Sequence, residues 1–132
     1  MPNAALAESL VVTNLVYLAA ALLAMQRGFV LLGLMFLVVF TASNAYHGSD
    51  HSCCRLWDVC SSGVAFGAML GLSASRMTPL AIVSLFVLGP VSLHLFLEDT
   101  HGDYSCARTS ANHSAWHLVS GTGALLAIAS IR

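Results

Sequence analysis

The sequence predicts an all-α fold, a multi-pass transmembrane helical bundle of five spanning helices, as a single domain over residues 1–132. Three observations predict it. The chain is 58% hydrophobic and only 8% charged, where a soluble domain carries about 25% charged residues. Its apolar residues fall into five runs, each near the length of about 20 residues that a bilayer core demands. Short polar segments separate the runs: "QRG", "HGSDHSCCRL", "ASRMT" and "EDTHGDYSCARTSAN". Within lipid, helices are the only open structures that satisfy every backbone group internally. The mean hydropathy of +0.81 agrees.

The first helix is expected from Leu10 to Met25, reaching back towards Leu6. The preceding "MPNAALAESL" has no basic segment of the kind that opens a secretory signal peptide, so this run reads as a retained transmembrane helix. The second is expected from Phe29 to Tyr46 and the third from Trp57 to Ser73. In the third, "GVAFGAMLG" places Gly63, Gly67 and Gly71 on one face, which predicts close packing of a neighbouring helix. The fourth is expected from Pro79 to Leu97. Its Pro90 has no N–H to donate, which predicts a kink with the Phe86 carbonyl left free. The fifth is expected from His113 to Ile131.

Alternation of the helices sorts the polar residues onto two sides. The N-terminus, the 47–56 segment and the 98–112 segment share one side with all six acids, Arg55 and Arg108. Arg27, Arg76 and Arg132 lie on the other. The positive-inside rule counts basic residues. It makes the three-arginine side, with the C-terminus, cytoplasmic and the acidic side, with the N-terminus, extracytoplasmic. Cys53, Cys54, Cys60 and Cys106 all fall at or near the acidic side, where a disulfide between the two segments or four free thiols would both fit. Five arginines without lysine give no basic face for nucleic acid.

Histidine and aspartate at the edge of lipid are costly and ask for a partner or a function. His113 and His117 in "NHSAWH" are four apart, so both rings leave one face of the fifth helix. That spacing is a common half-site for zinc. Ser43 and His47 repeat it at the end of the second helix, and Asp58 opens the third. All five lie on the acidic side. Three neutral imidazoles, His47, His113 and His117, give Zn2+ three protein ligands and leave the fourth position for water, whose pKa the metal lowers to about 7. Asp58 could carry its proton, and Ser43 could hydrogen-bond the water or a developing oxyanion. Blander roles exist for each. Ser43 could bond its own helix's backbone, and Asp58 could complement the helix dipole. His51 and His101 read as loop residues and His94 as a packing or outer-sphere residue. Trp57 and Trp116 suit the membrane interface.

"SNAYHGSD" (Ser43 to Asp50), Asp58 and "HSAWH" (His113 to His117) together resemble the signature of the CREST superfamily of multi-pass membrane hydrolases. It groups alkaline ceramidases, adiponectin and progestin receptors and GPI-anchor lipid-remodelling proteins. The local texture is most similar to its GPI-directed phospholipase A2 (transmembrane protein 8-like) branch. The resemblance implies zinc on His47, His113 and His117, with Asp58 and Ser43 supporting the metal water. It covers the second to fifth helices. The family has seven spanning helices where five are expected here. Loss of a pair between Asp58 and His113 keeps the site on one side but removes cavity wall, which fits a minimal version, a homo-oligomer that borrows walls, or a form that no longer turns over substrate.

The leading functional expectation is a zinc-dependent hydrolase of a membrane lipid, cleaving an amide or ester bond. A lipid-binding or receptor-like protein with structural zinc is the second. A membrane cytochrome with haem held by His47 and either His113 or His117 is the third.

Overall fold

The computed structural model describes residues 4–49, 52–76, 78–101 and 107–131. Helix α1 spans Ala4–Gln26 and α2 Val30–Ser49. Gly28 reverses the chain between them at φ +83°, a left-handed conformation that costs glycine little. Its N–H donates to the Met25 carbonyl at 3.0 Å, and the Phe29 N–H donates to the Ala24 carbonyl at 2.9 Å, so these two carbonyls in the last turn of α1 are satisfied. Helix α3 spans Ser52–Arg76. Thr78 then caps the next helix by accepting the Ala81 N–H at 3.1 Å, with Pro79 in the first turn, where a missing N–H costs nothing. Helix α4 (Pro79–Val83), a π-helical turn (Ser84–Leu88) and α5 (Gly89–His101) run on as one rod, and α6 spans Ala107–Ser130. The described residues therefore form five helical rods and no strand.

Three helices begin earlier than the apolar runs imply: α1 at Ala4, α3 at Ser52 and α6 at Ala107. Hydropathy marks what lipid tolerates, whereas backbone hydrogen bonding continues through polar residues such as "ARTSAN". Among the described residues, three segments are long and apolar enough to cross a membrane: Val30–His47, Leu56–Arg76 and Pro79–Leu97. Leu10–Gln26 is apolar but shorter. The polar first turns of α6 dilute its apolar second half, and it is not among the three.

The irregularity expected at Pro90 takes the form of the wide π turn just before it. The Gly89 N–H reaches back five residues to the Ser84 carbonyl, the register of a π-bulge.

Helix α1 packs between α2 and α6. Their shared core is largely small: Ala20, Ala21, Ala24, Ala124 and Ala127, filled out by Phe36, Val39 and Ile128. The close approaches are made by two glycines that the "GVAFGAMLG" pattern does not include. A Cβ on Gly33 would meet the Ala21 carbonyl oxygen at 2.9 Å, and one on Gly121 would overlap Val16. By contrast, among the described residues nothing lies within 4 Å of a Cβ on Gly63, Gly67 or Gly71. The packing expected on that face is absent here. Helix α3 leans on α2 and touches α4, the π turn and α6 only sparingly. An apolar cleft of about 260 Å³ opens between them.

Both ends of the bundle are tied. At one end Arg27 Nη1 donates to the Ile131 carbonyl at 3.2 Å, and Thr78 Oγ1 bonds Ser130 Oγ at 2.7 Å. The polar constellation read from the sequence occupies the other. Large apolar side chains face outward along the rods, with Leu31 71% and Phe86 63% exposed. Trp57 is exposed as well. Cys60 is an exposed free thiol; the pairing considered for Cys53, Cys54 and Cys106 lies outside the described side chains.

Candidate metal centre

Helix α2 ends in Ser43 and His47, one turn apart on its inner face. Helix α6 brings His113 and His117, also one turn apart. The antiparallel course of the rods sets these pairs against each other at the same end. Ring centroids of His47 and His113 are 4.8 Å apart, those of His47 and His117 5.4 Å, and those of His113 and His117 4.6 Å. One ligand nitrogen from each ring lies within 4.8 Å of the other two. His117 is fully buried, while His47 and His113 are half-buried.

The donor set suits a divalent ion. Tetrahedral zinc with Zn–N bonds of about 2.0–2.1 Å holds its nitrogens roughly 3.3 Å apart, so each ring needs to move by less than about 1 Å. His117 Nε2 is buried with no hydrogen-bond partner among the described residues. Buried polar atoms are rarely left so. An ion at the centre of the triad would satisfy it.

Asp58 and Ser43 complete the cluster. Asp58 is 2% exposed and Ser43 wholly buried. Ser43 and His113 both lie beside the Asp58 carboxylate. Asp58 Oδ1 is buried without a hydrogen-bond partner among the described residues. All five residues singled out in the sequence thus meet at one end of the bundle. His94 does not join them: it is exposed on α5, outside the packing or outer-sphere role expected of it.

Helix α1 supplies three residues that the sequence reading passed over. Thr13 Oγ1 lies 3.2 Å from His117 Nδ1. Asn14, fully buried, lies 3.1 Å from Ser43 Oγ through its Oδ1 and 3.3 Å from Asn44 Oδ1 through its Nδ2. Tyr17 meets the His117 ring edge-on at 5.6 Å and bonds Ser120 Oγ at 2.6 Å. The signal was present in "TNLVY", since Thr and Asn inside an apolar run are costly unless partnered.

Trp116 is packed inside the bundle. It is 8% exposed, and its ring centroid is 5.2 Å from both His113 and His117 and 5.3 Å from Phe96. Together with Tyr17 it lines the apolar cleft below the histidines, whose deeper walls include Phe36, Val39, Phe66 and Met69.

No protein-family model, curated protein sequence or solved structure matches this chain.

Proposed function

We infer that the chain is a membrane-embedded, zinc-dependent hydrolase of a lipid amide or ester bond, with α1 and α6 joining the three more apolar rods in spanning the bilayer. One observation carries the reading: three histidines, an aspartate and a serine from three helices converge, largely buried, beside an apolar cleft that shares Tyr17 and Trp116 with them. The outward-facing large apolar residues support lipid as the surrounding medium, since soluble monomers rarely expose contiguous apolar surface on this scale. The arrangement also accords with what the CREST resemblance implies.

His47, His113 and His117 would hold the ion. Bound zinc supplies Lewis-acid activation, lowering the pKa of water to about 7. The chain's own residues do the rest. Asp58 takes a proton from the attacking water at its free Oδ1 and returns it to the departing amine or alcohol. Ser43, anchored by its hydrogen bond to Asn14 Oδ1, packs beside that carboxylate. The cleft, walled by Phe36, Val39, Phe66 and Met69, takes an acyl chain and keeps water from it. The arginines Arg27 and Arg76, remote from the site, face the cytoplasm and leave the histidine end extracytoplasmic. The haem alternative is disfavoured because its two ligands sit on opposite faces of a planar macrocycle. Three rings with centroids 4.6–5.4 Å apart leave no such slot between them.

The test is metal content of the purified protein in detergent, beside His47→Ala and His117→Ala. About one zinc per chain, lost in both variants, is the expected result. Turnover of lipid amides and esters should then vanish in Asp58→Asn with zinc retained. Absence of metal from well-folded wild type purified without chelator overturns the reading.

A further inference from the structure

Thr13 Oγ1 has two neighbours. It lies 3.0 Å from the carbonyl oxygen of Leu10 in its own helix and 3.2 Å from Nδ1 of His117 across the α1–α6 seam. A hydroxyl has one proton and two lone pairs. A carbonyl only accepts, so the Thr13 proton belongs to Leu10. What faces His117 is then a lone pair, and Nδ1 must carry the ring proton. The opposite assignment puts the proton on Nε2, a buried atom with no acceptor among the described residues. A buried donor left unpaired costs about 1–3 kcal/mol. A bare Nε2 left unpaired carries a similar cost, so the Thr13 bond to Leu10 decides the tautomer, and the bare nitrogen is the form a cation can use.

We propose that Thr13 is a positioning residue that holds His117 as the Nδ1–H tautomer and thereby presents Nε2 to the centre of the histidine triad. Metal-binding histidines characteristically donate their second N–H to an oxygen that fixes ring and tautomer. Here that oxygen comes from α1, which contributes no residue to the histidine triad. Tyr17 and Trp116 flank the same ring at 5.6 and 5.2 Å and confine its plane, but neither supplies an acceptor to Nδ1. The consequence for metal affinity rests on the zinc reading above; the tautomer does not.

The experiment is nitrogen NMR of the protein in detergent with ¹⁵N-labelled histidine rings, metal-free and after zinc titration, for wild type, Thr13→Val and Thr13→Ser. In metal-free wild type, His117 should show a protonated Nδ1 and a bare Nε2. Thr13→Val keeps shape but loses the acceptor. It should mix the two tautomers and weaken zinc binding roughly 10–100-fold. Thr13→Ser should restore both, which a loss of packing alone would not predict. A protonated Nε2 in wild type overturns the proposal without recourse to any variant, as does Thr13→Val with unchanged tautomer and zinc affinity. If the Nδ1–H tautomer is found and is lost in Thr13→Val, yet wild type takes up no zinc, Thr13's role stands and the zinc reading fails.

Discussion

Replacing Gly121 with alanine should drive α1 and α6 apart. The added Cβ would overlap Val16 Cγ1 and lie 2.7 Å from Cγ2 and 3.0 Å from Cβ. Comfortable carbon contacts are about 3.5–4.0 Å. Rotating Val16 cannot relieve the overlap, because its Cβ is itself too near and a β-branched residue in a helix has one favoured rotamer. The helices must therefore separate by about 1 Å, at an overpacking cost of about 1–3 kcal/mol. The same seam carries the Thr13–His117 bond, with Thr13 one turn from Val16 and His117 one turn from Gly121. At 3.2 Å that bond has only about 0.3 Å of slack before it ceases to count as one. Gly121→Ala should accordingly lose both stability and zinc affinity. Unfolding in mixed micelles, followed by circular dichroism, reads the first, and competitive zinc titration reads the second. Gly123→Ala is the control within α6: its Cβ meets Leu88 Cβ at 3.5 Å, an ordinary contact, so stability should hold within about 0.5 kcal/mol. Gly67→Ala, with open space around it, should gain up to about 1 kcal/mol from helix propensity. A Gly121→Ala protein with wild-type stability and zinc affinity would refute the packing argument.

Two further outcomes follow from the same geometry. Asn14→Leu keeps the branched shape but strips Ser43 and Asn44 of a partner, and should cost about 1–2 kcal/mol in the same unfolding assay, with turnover falling more than zinc binding. Trp116→Ala removes the wall between the cleft and the histidines; it should cost about 3–5 kcal/mol and speed carbethoxylation of His113 and His117, read by mass spectrometry.

Much of the site is legible in the sequence because helical periodicity is local. Four-residue spacing puts His113 with His117 and Ser43 with His47 wherever the helices go, and counting helices puts both pairs at one end. What spacing cannot convey is which rods touch. Thr13 and Asn14 stand out as polar residues in an apolar run, but only the lodging of α1 between α2 and α6 gives them His117 and Ser43 as partners. The glycines show the same limit. Gly63, Gly67 and Gly71 form a regular small face with nothing within 4 Å among the described residues, whereas Gly33 and Gly121, in no repeat, make the close approaches. A pattern specifies a face and is silent on whether anything meets it. Trp116 shows the same limit: an indole near a helix start reads as interfacial, and only Phe96 and the two histidines around it reveal that its ring is packed inside the bundle.

The π turn gives the α4–α5 rod a spare residue. Ala81 and Phe96 both point inward, fifteen positions apart in the chain. Four regular α-turns hold only about 14.4 residues, and the wide turn at Ser84–Leu88 absorbs the excess. In the language of insertions and deletions, this is the one stretch of the rod where a residue can be dropped without changing what lies on either side. Removing one there would tighten the turn to α and leave Ser92 and Phe96 on the cleft. Removing one anywhere between Gly89 and Phe96 would swing everything beyond it by about 100°, turning Phe96 away from Trp116. Variation in length along this segment is therefore expected to be tolerated at the wide turn and resisted beyond it.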